Sequence, residues 1–166
     1  MLAISLIIIG ILLRFVPHTA NFTPVAAIAI FAGVYLNKKQ ALIVPLLLMV
    51  VSDLFLGMHN VMAFTWGSFL LVTCLGIWAR QHKSFKVVAS TSVISSVLFY
   101  LITNFGVWAM GWYPKTAKGL VDCYILGLPF LRTFMASTII YSVIFFGAYE
   151  LIASKLRATK LAKVLL

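Results

Sequence analysis

The sequence predicts an all-α membrane protein, a polytopic bundle of six transmembrane helices, and three observations carry that reading. The chain of 166 residues is 63% hydrophobic and 10% charged, more apolar surface than a soluble domain of this size can cover. The apolar runs are long and continuous rather than alternating. That selects helices over a closed barrel, the other structure whose backbone satisfies itself in lipid. Short polar clusters divide the runs into six, and together they occupy residues 1–166 as a single transmembrane domain.

The first run covers 2–16. It lacks a basic leader and a small-residue cleavage site, so it reads as a retained helix, not a signal peptide. Arg14 stands near its end and Pro17 stops it. Thr23-Pro24, an N-cap and first-turn pair, opens the second helix over 23–36. At about 20 Å it is short for a hydrocarbon core of about 30 Å, so neighbours must shield it. Ala26, Ala29 and Gly33 give it a small-residue face on which another helix can close.

Asn37-Lys38-Lys39 turns the chain into the third helix, 40–56, with Pro45 inside. Gly57 to Asn60 leads to the fourth, 61–79. Arg80-Gln81-His82-Lys83 leads to the fifth, 85–110. The connection from Gly111 to Leu128 holds a short interfacial helix over 116–126. Pro129 opens the sixth helix, 129–154, and a basic tail closes the sequence.

Charge orients this bundle. Even-numbered connections and the tail carry Lys38, Lys39, Arg80, Lys83, Lys86, Lys155, Arg157, Lys160 and Lys163. Odd-numbered connections carry only Arg14, Lys115, Lys118 and Arg132. Under the positive-inside rule both termini are cytoplasmic. The net charge of +10 belongs to this topology, and the clusters are too short and scattered to suggest nucleic acid. No CxxC or HExxH spacing suggests a metal, and no cofactor motif is present. Cys74 and Cys123 fall at different depths, which argues against a disulfide between them.

The unusual polar residues gather at the outer side. Arg14 ends helix 1, Arg132 sits in the first turn of helix 6, and Asp53 sits in the last turn of helix 3. Each cationic or anionic group at helices 6 and 3 opposes its helix dipole. Charges at such depth face a cavity or a partner, so Asp53 either lines a pocket with the arginines or pairs with one of them. On helix 5, Ser92, Ser96, Tyr100, Asn104 and Trp108 recur every four residues, beside Thr103, and make one polar stripe toward the bundle interior. The serines read as interhelical contacts, Asn104 and Trp108 as pocket lining. Asn21 and Thr23 stand at the start of helix 2, whose free N–H groups favour an anion or carbonyl. Tyr113, within Trp112-Tyr113-Pro114, either stacks on a ligand or belongs to an interfacial aromatic belt. His18 and His59 complete the outer set.

The strings Arg14-Phe15-Val16-Pro17-His18, Asn21-Phe22-Thr23-Pro24-Val25-Ala26, Ser52-Asp53-Leu54-Phe55-Leu56-Gly57, Ile102-Thr103-Asn104-Phe105-Gly106-Val107-Trp108 and Tyr113-Pro114-Lys115-Thr116 resemble a family of small bacterial membrane proteins described as candidate transport proteins. More distantly, the layout is similar to the S component of energy-coupling factor transporters. That resemblance implies a six-helix bundle with a small molecule bound near the outer face, under the connection between helices 1 and 2. It also implies a transmembrane coupling subunit with ATPases as partner. Helix 1 departs from it, lacking the Ala-xxx-Ala pattern by which S components dock.

The expected function is uptake of a vitamin-like or anionic small molecule across the bacterial cytoplasmic membrane. Its ligand would be held by Arg14, His18, Asn21, Thr23, Asp53, His59, Asn104, Trp108, Tyr113 and Arg132. Two other classes fit the same residues less well. One is a non-transporting membrane scaffold or envelope-assembly subunit, in which the polar groups only pair internally. The other is a membrane enzyme using Asp53 or His59; no nucleophile-base or paired-carboxylate spacing supports it, so no enzymatic activity is expected.

Overall fold

The computed structural model describes residues 1–16, 19–157, 159 and 162. Among them all regular structure is helical: α1 (Leu2–Arg14), α2 (Val25–Tyr35), α3 (Lys38–Leu56), α4 (Met62–Ala79) with a 3-10 turn at Arg80–His82, α5 (Phe85–Ala109) and α6 (Ala117–Leu156). Four helices, α3 to α6, are long and apolar enough to cross a membrane; α1 and α2 are shorter, at 13 and 11 residues.

α2 is the axis of the fold. Every residue from Val25 to Ala32 is at most 1% exposed, and α1, α3, α4, α5 and α6 all pack on it. A helix sheathed in protein need not match the thickness of the bilayer, which explains how one so short is accommodated. Its small-residue face meets α4, where Gly33 crosses Gly76 so closely that a Cβ on Gly33 would lie 2.7 Å from the Gly76 Cα. Its C-terminus is closed by Arg80. The Arg80 Nη2 donates to Gly33 O at 2.6 Å and to Leu36 O, and Nε donates to Gly33 O at 3.1 Å. A buried helix end needs such donors for its last carbonyls. Arg80 is therefore more than a topological cation.

The surface is apolar and the interior partly polar. Ile8 and Leu12 on α1, Ile43, Leu47 and Leu54 on α3, and Ile144 and Leu151 on α6 are exposed. Ser52, Ser68, Thr73, Ser92, Ser96, Ser137 and Thr138 are fully buried. Most of those hydroxyls donate to a carbonyl three or four residues back in their own helix, the usual way to hide a hydroxyl without water. Ser92 also donates to Ser142 Oγ at 3.0 Å, joining α5 to α6. An apolar exterior over an interior of paired hydroxyls is consistent with a membrane protein.

Several expected boundaries shift, the end of the first helix among them, at Arg14 rather than 16. The third helix starts at Lys38 rather than 40, because Asn37 caps it, its Oδ1 accepting from Gln40 N at 2.9 Å. The second starts at Val25 with Pro24 as its cap residue and no side-chain capping bond; the Thr23 hydroxyl serves elsewhere. One expectation fails outright. No interfacial helix separates from the last span, for α6 runs unbroken through Pro129 over 40 residues, about 60 Å. Thr116 caps its start, its Oγ1 accepting from Gly119 N at 3.0 Å. The segment before Pro129 lies along α5: Tyr124 Oη donates to Leu101 O at 2.8 Å, Tyr100 Oη donates to Tyr124 O, and Cys123 Sγ meets Asn104 O at 3.3 Å. Those contacts hold the axis across the one backbone bond that Pro129 deletes. The α5–α6 connection is correspondingly short, with Gly111 at φ 85 making the turn.

The α1–α2, α3–α4 and α5–α6 connections share one end, here the upper end; Trp112 Nε1 donates to Asn60 Oδ1 at 3.1 Å across two of them. The α2–α3 and α4–α5 connections lie at the lower end, where Arg80 reaches Leu36. Since α2 and α4 are level there but have 11 and 18 residues, α4 rises about 10 Å above the start of α2. On α6, Ser137 Oγ meets Asn21 O at 3.4 Å and Thr23 O at 3.3 Å, twenty residues from the start of the helix at Ala117. Asn21 and Thr23, just before α2, thus lie well below the upper ends of α4 and α6.

Candidate binding site at the upper end

The polar residues of the upper end form two groups. The first is a brace. Asp53, 3% exposed, lies in the last turn of α3, where the helix dipole disfavours a carboxylate. The Trp66 indole of α4 donates to Asp53 Oδ2 at 2.8 Å, and the Arg14 guanidinium of α1 is near enough for Coulomb attraction. Arg14 Nη1 also donates weakly to Thr23 Oγ1 at 3.5 Å, while its Nε is buried with no protein partner. Four helices are tied by these side chains: α1 through Arg14, the start of α2 through Thr23, α3 through Asp53 and α4 through Trp66. Of the two arginines open to Asp53 on sequence grounds, Arg14 is the neighbour. Arg132 is exposed on α6 and bonds to no described residue.

The second group lines a cavity of about 170 Å³ between the α1–α2 connection, α5 and α6. Phe99, Tyr100, Thr103, Asn104 and Val107 form its α5 wall, Phe130, Leu131 and Phe134 its α6 wall, and Asn21 closes it from the loop. Asn21 has φ 61, a left-handed conformation that Asn adopts more readily than most residues. Phe99 stacks on Phe134 with centroids 4.3 Å apart and gives the cavity a firm aromatic floor. Asn104 is held by its Nδ2, which donates to Tyr100 O at 2.8 Å, with Cys123 Sγ 3.9 Å from its Oδ1. Gly127 is shaped to it: a Cβ there would lie 2.5 Å from Asn104 Oδ1. Oδ1 is packed against Cys123 and Gly127, which leaves one amide hydrogen of Asn104 for a guest. Among the described residues no charged side chain lines this cavity.

The other expected residues stand apart. Trp108 Nε1 donates to Pro114 O at 3.1 Å and its ring meets Phe105, so it braces the α5–α6 turn. Tyr113 is half-buried in that turn and lines neither cavity. His59 is half-buried in the α3–α4 connection, its Nδ1 without a protein partner. His18 lies outside the described residues. Among the described residues no three His, Cys, Asp or Glu side chains converge as a metal site would require.

Sequence reasoning missed Trp66, although a buried Asp53 demands a donor and the next helix opens with that indole. It also missed the lower end. A larger cavity, about 330 Å³, lies there between α2, α5 and α6, with Tyr35, Lys83 and Glu150 at its rim. Tyr35 Oη donates to Glu150 Oε1 at 2.7 Å, Arg157 approaches Glu150 Oε2 at 3.8 Å, and Lys83 Nζ lies 4.4 Å above the Tyr35 ring. Glu150 is one of only three acids in the chain, and that scarcity was the available signal.

Residues 1–161 match a family of unknown function, DUF6580, and the chain belongs to that family. No curated protein and no solved structure matches it.

Proposed function

We propose that this member of DUF6580 is a six-span transport protein of the bacterial cytoplasmic membrane, taking up a small molecule from its upper side, which faces outward. In this reading α1 and α2 count as spans because their neighbours complete the thickness around them, and both termini are cytoplasmic by the excess of Lys and Arg at the lower end. The organisation is of S-component type, and a transmembrane coupling subunit with ATPases is the partner that would energise it.

The observation that carries the proposal is the cavity closed by Asn21 and lined by Thr103 and Asn104. It lies under the α1–α2 connection, well below the upper ends of α4 and α6. Its size narrows the guest. A cavity of about 150 Å³ holds benzene, whereas sites for drug-sized ligands have about 300–1,000 Å³. At about 170 Å³ the cavity suits a compact ring or short chain with one hydrogen-bonding group. The described lining is uncharged, which favours a neutral guest; Arg14, Lys115 and Arg132 do not line the cavity. The test is isothermal calorimetry of the purified protein against compact neutral molecules. Saturable binding lost in Asn104→Ala supports the proposal, and binding indifferent to that change refutes this site.

One observation favours a second reading, an integral-membrane scaffold. Asp53 and Arg14, the costliest groups in the membrane, are used inside the fold and neither lines a cavity. A scaffold would bind no small molecule at the upper end, and its Asn104→Ala variant would lose nothing but some stability.

A further inference from the structure

The lower cavity has the makings of a lipid site. Its walls are apolar: Val34 of α2, Val88 and Ala89 of α5, and Ile139, Val143 and Phe146 of α6. It opens on the flank of the bundle, where Phe85 is 74% exposed and Val143 is 48% exposed. Its volume is about 330 Å³. At its foot Ser92 and Ser142 bond to each other, leaving the groove little polar demand. Gly147 also lines it, and a Cβ there would meet nothing within 4 Å.

The rim is polar. Lys83 and Ser84 lie on it, with Lys86 exposed in the first turn of α5. The one carboxylate, Glu150, is engaged by Tyr35 and by Arg157. Among the described lining residues Lys83 is the one cation and Glu150 the one acid; with Arg157 set against Glu150, the mouth keeps a net positive charge at Lys83. An apolar groove with a basic mouth at the cytoplasmic level matches a phospholipid of that leaflet, its chain between helices and its phosphate beside Lys83.

We infer that the groove between α2, α5 and α6 holds an acyl chain of one anionic phospholipid, with its phosphate at Lys83. Lys83 would leave the Tyr35 ring to meet the phosphate, and Tyr35 would keep Glu150 turned away from it. The inference rests on the membrane orientation proposed above, but not on transport or on the upper cavity.

The test uses the full chain, equilibrated in vesicles of equal phosphatidylglycerol and phosphatidylcholine, extracted gently and examined by native mass spectrometry. The expected result is one retained phosphatidylglycerol per chain in preference to phosphatidylcholine. Gly147→Leu, which fills the groove without a clash at Cβ, should abolish retention. Lys83→Gln, at an exposed site that does not threaten folding, should weaken the preference about five-fold. Equal retention of both lipids by the unaltered protein would overturn the inference, as would a preference unchanged in Lys83→Gln. So would a dimer of the unaltered protein, in place of bound lipid, that Gly147→Leu disperses; the groove would then seat a helix of a second copy. Ligand binding at the upper cavity should be the same in Gly147→Leu, so either proposal can fail without the other.

Discussion

The upper and lower ends of the bundle each hold a carboxylate, an aromatic donor and an arginine. At the upper end Asp53 is 3% exposed, takes the Trp66 N–H and lies in the field of Arg14. At the lower end the Glu150 side chain is 54% exposed, takes the Tyr35 O–H and lies 3.8 Å from Arg157. The chemistry is nearly the same, but the depth differs. A carboxylate removed from solvent must have partners in every folded molecule, so the upper trio fixes where four helices meet. An exposed carboxylate can exchange its partners for water at little cost, so the lower trio is free to rearrange around a guest. Charge type alone did not separate a structural element from an adaptable one; burial did.

The largest effect expected from breaking this contrast is at Asp53. Asp53→Ala strands the Trp66 N–H and removes the carboxylate that attracts Arg14, and thermal unfolding in detergent should report a loss of about 3 kcal/mol. Asp53→Asn, which keeps an acceptor for Trp66, should lose less. Next comes Arg80→Ala, which leaves the Gly33 and Leu36 carbonyls without donors. The same assay should lose about 1.5–3 kcal/mol, where loss of an ordinary topological cation would cost almost nothing. At the cavity, Gly127→Ala should displace the Asn104 amide and weaken guest binding about tenfold, the effect of one hydrogen bond, as measured by calorimetry. The smallest effect belongs to Glu150→Gln, within about 1 kcal/mol of the unaltered protein. A loss there as large as that from Asp53→Ala would erase the distinction between the two ends.

Much of the architecture was legible as pattern. Helix positions follow from unbroken apolar runs and from Asn37, Gly57 and Ser84 between them. The shortness of α2 foretold its sheathing, and its Ala26–Gly33 face foretold a close crossing. The break before Pro129 was misjudged because proline is a local signal, whereas the continuity of α6 depends on Tyr124 and Cys123 packing against α5, a contact distant in sequence. The site divided in the same way. Asn21, Thr103 and Asn104 could be found from position and spacing. That Arg14 joins Asp53, that Trp66 joins them, and that Arg132 and Trp108 face elsewhere depends on helix rotation, which period alone leaves undetermined. The lower groove left no sequence signal beyond one solitary glutamate, since apolar walls look like any other packing face.

The central claim is that the upper cavity, and not the exposed Arg132 of α6, receives the guest. The most direct measurement is the thermal stabilisation given by a compact neutral ligand to the unaltered protein, Asn104→Ala and Arg132→Ala side by side. At a hundredfold excess over its Kd the ligand should stabilise the unaltered protein by about 2.7 kcal/mol. Arg132→Ala should keep that gain and Asn104→Ala should lose it. A gain kept by Asn104→Ala and lost by Arg132→Ala would contradict the account.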